Sequence, residues 1–187
     1  MKKKFPSFWD KHRICIICKN DEEYQYLNYL SRLNIWNECY KIILINAYDD
    51  RNISALYQDY YQNGLNELIL IFCSNKKTTY EQYKSLKQKI NEFHGLDNIA
   101  DEIVIYGNYC TMQFILKNYK GKKGYIQEEI SCINFDNYQN RYSKVSKLEM
   151  NDCNEENKNF KIFFEHLRSD NIKWIKIINN QIEGGLK

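Results

Sequence analysis

Four short apolar segments stand out along the chain, separated by stretches in which apolar residues recur with helical spacing. The four segments are Arg13–Cys18, Lys41–Asn46, Glu67–Phe72 and Glu102–Gly107. Each is rich in Ile or other β-forming residues and is apolar without alternation, as in strands that are buried on both faces of a parallel sheet. The sequence therefore predicts four parallel strands.

Helical patterns follow each of the predicted strands. They cover Asp21–Leu33, Ile53–Tyr61, Thr79–Phe93 and Tyr109–Tyr119, and Thr78 or Thr79 is a suitable N-cap for the third. Strict alternation of strand and helix predicts right-handed crossovers and an open α/β sheet with helices on both faces. Ligands of such sheets bind outside the carboxyl ends of the strands, so the residues that follow each strand are the site candidates.

The pattern changes from about residue 120, where no further strand–helix alternation is seen. Asn154–Arg168 predicts an amphipathic helix, Phe135–Met150 a further helix, and Trp174–Ile182 a final strand or helix. We therefore divide the chain into an N-terminal arm (residues 1–10), an α/β core (residues 11–125) and a mostly helical C-terminal extension packed on the core (residues 126–187).

Composition restricts the class of protein but does not name its ligand. The 187 residues are 43% hydrophobic and 15% aromatic, which is enough for one well-packed domain. The net charge of +3 neither requires nor excludes nucleic acid, so any basic site has to be local. No apolar run approaches the roughly 20 residues of a membrane span, and seven scattered Cys favour free thiols. We expect a cytoplasmic protein that does not contact a membrane.

Lysines and amides cluster at the predicted strand ends. Lys19 and Asn20 follow the first strand, and the third is followed by Ser74, Asn75, Lys76 and Lys77. The fourth is followed by Asn108 and Gln113. Three ammonium groups at one edge would repel a divalent cation and attract phosphate, helped by the amino ends of the following helices. The alternative is that these lysines are ordinary solvated loop charges.

Acidic residues also follow two strands. Asp21, Glu22 and Glu23 come after the first strand, and Asp49 and Asp50 after the second. Carboxylates from separate strand ends could hold Mg²⁺, which prefers oxygen ligands. The first three residues equally suit a helix amino end, where the helix dipole favours negative charge.

Three ordered motifs give the chain a resemblance to a known family. They are "IICKNDEEYQYL" (Ile16–Leu27), "LIFCSNKKTTYEQY" (Leu70–Tyr83) and "IYGNYCTMQFIL" (Ile105–Leu116). In these the chain resembles the RloB-like group of the Toprim superfamily over about residues 11–119. Members of that group carry a CEG…E…Y element, an Asp-x-Asp and an NPCxE/Q element at successive strand ends. The resemblance implies a compact α/β fold and a bacterial defence or mobile-element context.

The chain departs from the family pattern at its acidic positions. Lys19 stands at the position of the general acid/base Glu, and Ser74 and Lys76 at the positions of the two metal-binding Asp residues. The residues that match the pattern are Glu23, Asn108, Cys110 and Gln113. One unit charge at ~5 Å and an effective dielectric near 20 changes the free energy of a metal ion by about 3 kcal/mol. Mg²⁺ and Mn²⁺ are therefore disfavoured by Lys19 and Lys76, and no cofactor or metal is expected.

The resemblance and its departures together predict a catalytically degenerate Toprim-like protein, a pseudo-nuclease. It would bind DNA, RNA or another phosphate ligand through a cationic pocket without cleaving it. One alternative is a protein-interaction module, acting as a decoy or partner of an active relative. Another is a metal-dependent nuclease with a relocated site built from Glu22, Glu23, Asp49 and Asp50. The oligomeric state stays open.

Overall fold

The four predicted strands form one parallel sheet. The structure, a computed structural model, describes residues 11–48, 52–107, 109, 112 and 162–185. The strands are β1 (His12–Cys18), β2 (Tyr40–Asn46), β3 (Leu68–Ser74) and β4 (Val104–Gly107). They pair in parallel in the order β2-β1-β3-β4. The predicted open α/β fold class is therefore confirmed.

Three helices that connect the strands agree with the pattern to within a residue or two at each end, namely α1 (Asp21–Arg32), α2 (Ile53–Gln62) and α3 (Tyr80–His94). The short α4 (Ala100–Ile103) was not predicted. Residues 162–168 form helix α5. The segment Trp174–Ile182, predicted as a strand or a helix, lies in helix α6 (Lys173–Gly185). The described residues do not include the predicted arm (residues 1–10) or the helix predicted over Phe135–Met150. Of the helix predicted over Tyr109–Tyr119, they include only residues 109 and 112.

Two details of the predicted strands were wrong. Residues 102 and 103 belong to α4, because the side chain of Asn91 accepts a hydrogen bond from Ala100 N (2.8 Å) and supports a helical turn there. The second is that β2 is only half-buried after Tyr40, whereas β1 and β3 are buried along almost their whole length. Among the described residues β2 and β4 both lie at edges of the sheet, yet β4 is fully buried, so edge position alone does not explain the exposure of β2.

Local caps fix where the helices begin. Thr79 is the N-cap of α3, and its side chain and that of Gln82 exchange hydrogen bonds with each other's backbone N–H groups. Gly95 ends α3 in the left-handed conformation (φ 65°), which costs a glycine little. These signals place the β3–α3 loop and the first turn of α3 directly above the carboxyl end of β3.

The strand order reverses between β1 and β3, which defines the switch point of the sheet. The chain moves from β1 outward to β2, and then crosses back to β3 and β4. Right-handed crossovers therefore place α1 on one face and α2 and α3 on the other. The rings of Tyr57 and Phe93 pack α2 against α3 (centroids 6.1 Å apart). Crevices at such switch points are the usual ligand sites of open α/β sheets.

The C-terminal helices contact the α1 face and the amino-terminal edge of the sheet. Phe164 of α5 is fully buried against Tyr26 and Trp36, with ring centroids 6.4 and 5.3 Å away. On α6, Trp174 donates to the Tyr40 hydroxyl (3.0 Å), and Asn179 donates to the carbonyl of Glu67 (2.9 Å). Both acceptors lie at strand starts, so α6 lies at the edge opposite the candidate site.

Candidate functional site

Asn20 and Glu23 form a buried capping box at the start of α1. The side chain of Asn20 accepts a hydrogen bond from Glu23 N (3.3 Å), and the Glu23 carboxylate accepts from Asn20 N (2.9 Å) and Asn20 Nδ2 (3.2 Å). Asn20 is 1% exposed and Glu23 is 0% exposed. The acid that matches the family pattern is therefore engaged in starting a helix, and both side chains lie beneath the surface of the site.

Lys76 is paired with a carboxylate across the switch point. Its Nζ donates to Glu22 Oε1 and to the Tyr109 hydroxyl (2.9 Å), and lies 4.3 Å from the centroid of the Tyr109 ring. The hydrogen bond from Lys76 lowers the pKa of Glu22, and the same bond raises the pKa of Lys76. Because Glu22 opens α1 and Lys76 follows β3, this ion pair bridges the carboxyl ends of β1 and β3.

Lys19 and Lys77 line a different space, a cleft of about 490 Å³ between the start of α2 and the first turns of α3. Lys19 is held by its backbone N–H, which donates to Phe72 O (2.9 Å). Lys89 of α3 adds a third ammonium group to the walls. We call this space the lysine cleft, and its remaining lining residues are Ile53, Ser54, Thr78, Gln82, Ser85 and Leu86.

Thr78 lies in the wall of the lysine cleft and carries a buried hydroxyl. It is 4% exposed, and its Oγ1 has no hydrogen-bond partner among the residues that the structure describes. Two hydrogen bonds hold the backbone of Thr78: its N–H donates to Ser74 O (3.1 Å), and its carbonyl oxygen accepts from the Tyr106 hydroxyl (2.6 Å). Burying a hydroxyl without a partner costs about 1–3 kcal/mol.

The amino end of α2 also faces the lysine cleft through Ile53 and Ser54. The side chain of the N-cap residue Asn52 accepts a hydrogen bond from the Ser54 hydroxyl (3.4 Å) and not from a backbone N–H of the first turn. The amino end of a helix carries partial positive charge on its N–H groups, which favours anions. The cleft is thus lined by three lysines and by the amino end of a helix, which is an arrangement suited to a phosphate group.

Lys89 and Thr78 were missed from the sequence, although a signal for them exists. Thr78, Gln82, Ser85 and Lys89 are spaced four, three and four residues apart, so they form one polar stripe along the start of α3. Extending the motif after β3 by three helical turns would have included both residues.

The remaining predicted residues lie elsewhere or outside the description. Ser74 is fully buried at the end of β3. Asn75 joins the ends of β3 and β4, because its N–H donates to Gly107 O (3.2 Å) and its Oδ1 accepts from Tyr109 N (2.9 Å). The positions for which the structure gives no description are Asp49, Asp50, Asn108 and Gln113.

Tyr48 projects from the same edge of the sheet in a strained backbone conformation. It has φ of +51°, and its side chain is 79% exposed. Its N–H donates to Asn46 Oδ1 (2.9 Å), and Asn46 Nδ2 in turn donates to Asp21 (3.0 Å). A left-handed conformation costs an L-residue roughly 1–2 kcal/mol. Two side-chain hydrogen bonds therefore hold a bulky aromatic residue where a glycine or asparagine would be expected.

The described part of the chain contains no group of three or more His, Cys, Asp or Glu side chains able to hold a metal ion. Three of the acids near the site have partners: Asp21 binds Asn46, Glu22 binds Lys76, and Glu23 caps α1. No helix among the described ranges is long and apolar enough to cross a membrane.

Two thiols near the carboxyl edge are buried and protonated. Burial raises the pKa of Cys15 to about 12. Burial and the neighbouring Glu23 raise the pKa of Cys18 well above its ordinary value. Because the thiolate is the reactive form, neither residue is suited to act as a nucleophile at neutral pH.

Comparison of the chain with protein-family models, with curated proteins and with solved structures gives no match. The resemblance to the Toprim superfamily therefore stays a prediction from three short motifs. The proposed function therefore rests on the geometry at the carboxyl edge of the sheet.

Proposed function

We propose that this protein binds nucleic acid by holding a backbone phosphate in the lysine cleft, and that it does so without cleaving the strand. The observation that carries the proposal is the convergence of Lys19, Lys77 and Lys89 on one cleft, whose wall also contains Thr78 with a buried hydroxyl that has no hydrogen-bond partner among the described residues. Buried polar groups in proteins nearly always have partners, so an orphaned hydroxyl at a cationic cleft favours a bound acceptor.

The charges of the carboxyl edge support a phosphate ligand. The three lysines of the cleft come from different parts of the chain. Lys19 follows β1, Lys77 lies in the loop after β3, and Lys89 lies on α3. Their convergence on one space is a tertiary property. Cationic groups on the backbone phosphates supply most of the sequence-independent affinity of nucleic-acid-binding proteins.

The engagement of the nearby acids supports binding without cleavage. Glu23 has a capping role beneath the surface, and Glu22 is neutralised by Lys76. Neither is placed to act as a general base in the lysine cleft. The resemblance of the motifs to the Toprim superfamily, with Lys at two of its acidic positions, points to the same outcome: a fold used by nucleic-acid enzymes that binds and does not cut.

The test is a gel-shift and cleavage assay with labelled single-stranded DNA, duplex DNA and RNA, at low and moderate salt, with and without Mn²⁺. We expect salt-sensitive binding and intact strands. The double variant Lys19→Gln, Lys77→Gln should bind about 20-fold more weakly in 0.1 M salt, since each phosphate contact contributes a factor of roughly 5 there. A matched control is Lys84→Gln, Lys176→Gln, which removes the same charge from lysines outside the cleft.

Three results would contradict the proposal. Failure of the wild-type protein to bind any of the three nucleic acids would contradict the ligand class. An equal loss of affinity in the control variant would show that the affinity depends on the net charge of the protein and not on the lysines of the cleft. Cleavage that appears only with Mn²⁺ would overturn the non-catalytic part and direct attention to the relocated acidic site.

A further inference from the structure

The exposed ring of Tyr48 is not explained by packing. The side chain is 79% exposed, the largest exposure among the large hydrophobic residues identified as exposed in the described part of the chain. The backbone at this position is strained, and the hydrogen bond from Tyr48 N to Asn46 Oδ1 holds it there. A tyrosine that contributes little burial and adds strain is a poor choice for stability, so its ring is more simply explained by an interaction with a ligand.

The register of the sheet places Tyr48 beside the lysine cleft. Cys18 and Asn46 are partners in the β1–β2 ladder, and Ala47 N donates to Cys18 O (2.9 Å). Lys19 and Ala47 are the next residues along the two strands, so strand spacing and the Cα–Cα distance together put the Cα of Lys19 about 9 Å from that of Tyr48. This separation is one that the phosphate and base of neighbouring nucleotides can span.

We propose that Tyr48 stacks against an unpaired base of the strand whose phosphate lies in the lysine cleft, so that the ligand is single-stranded nucleic acid. The inference rests on the proposed function, and it adds a base contact and a preference among nucleic acids. Aromatic side chains beside a cationic groove are the usual means of binding single strands, because every base offers a face for stacking. In a duplex the base faces are covered by their neighbours and are not open to Tyr48.

The hydrogen bonds around Tyr48 fit this role. Asn46 holds the backbone of Tyr48 and is itself bound to Asp21 at the start of α1. The position of the ring is therefore tied to the same β1–α1 connection that carries Lys19. A platform fixed in advance loses less conformational entropy on binding than a mobile loop does.

The test compares Tyr48→Asn with Tyr48→Phe by fluorescence anisotropy, using a labelled single strand and a duplex of the same length. Asn accepts the left-handed conformation, so Tyr48→Asn should fold at least as stably as wild type in urea. We expect it to bind the single strand roughly 5- to 150-fold more weakly, the effect of removing one stacking ring. Tyr48→Phe should keep the affinity, and duplex binding should not change in either variant.

The control is Leu65→Ala, which removes an exposed side chain (65%) from the loop before β3 and should have no effect. If the wild type binds single strands through Lys19 and Lys77 but Tyr48→Asn binds equally well, the stacking inference is wrong and the proposed function stands. If Tyr48→Asn weakens the duplex as much as the single strand, the preference for unpaired bases is wrong. If the wild type binds neither, the proposed function itself fails.

Discussion

Replacing Thr78 by Val should stabilise the protein and weaken ligand binding at the same time. Val keeps the branched shape of Thr, and the two hydrogen bonds of Thr78 that the structure places on Ser74 and Tyr106 use only backbone atoms. The change removes a buried hydroxyl that has no partner among the described residues. We expect the free energy of unfolding to rise by about 1–2 kcal/mol, because a burial cost disappears and no described bond is lost.

Under the proposed function, the same substitution would also remove a hydrogen bond between the Thr78 hydroxyl and the bound phosphate. A hydrogen bond to a charged group contributes about 1.5–3 kcal/mol, so binding of nucleic acid should weaken roughly 10- to 100-fold. Urea unfolding followed by circular dichroism measures the first effect, and anisotropy titration of a labelled oligonucleotide measures the second. A gain in stability together with a loss of affinity is the signature of a group retained for its ligand.

A matched control is Tyr26→Phe, which removes another buried hydroxyl without a partner among the described residues. Tyr26 is fully buried on α1, where it packs against Phe72 and Phe164, away from the lysine cleft. It should gain stability and keep its affinity. Unchanged affinity in Thr78→Val would refute the role of the hydroxyl. A loss of stability in Thr78→Val would show that Oγ1 has a partner in the folded protein, which would remove the reason for placing a ligand there.

Two further predictions follow from the charges and the buried histidine. Lys77→Gln should reduce the slope of log affinity against log salt by about 0.7 for a single strand. The double variant Glu22→Gln, Lys76→Gln removes one charge of each sign and should leave the slope unchanged. Equal slopes for the two variants would contradict the separate roles of the neighbouring lysines. Burial lowers the pKa of His94, which is hydrogen-bonded to the Tyr57 hydroxyl at 2.9 Å. As the pH falls below about 6.5, His94 is therefore protonated more readily in the unfolded chain than in the folded one. The free energy of unfolding should decrease between pH 7.5 and 5.5, and it should decrease less steeply in His94→Gln. An identical pH dependence in both proteins would contradict this.

The sequence carried the architecture because its signals are local. Unbroken apolar runs such as Arg13–Cys18 fit the two-sided burial of a central parallel strand, and they occur at spacings that leave room for one helix each. The residues around the start of α3 indicated Thr78 or Thr79 as its N-cap, and the structure shows Thr79. Parallel connectivity then brings the carboxyl ends to one edge, which is why the site could be sought after the strands.

The site itself was only partly predictable. Lys76 and Lys77 are adjacent in the sequence and look equivalent, yet one pairs with Glu22, 54 residues away, and the other lines the cleft with Lys89. No local pattern separates two neighbouring lysines, because their partners come from distant segments. The orphaned hydroxyl of Thr78 was equally invisible, since a hydroxyl becomes unpaired only when the chain packs around it.

What the sequence by itself determined is the four strands, the three longer helices between them, their order, and the edge of the sheet where a ligand is expected. These depend on periodicity, capping residues and connectivity, all of which act over a few residues or through the chirality of the crossover. The tertiary structure decided which lysine at that edge pairs with Glu22 and which lysines line the cleft. Electrostatic pairing depends on distances between segments that only the packed fold brings together, so the division between the neutralised Lys76 and the lysine cleft appears first in three dimensions.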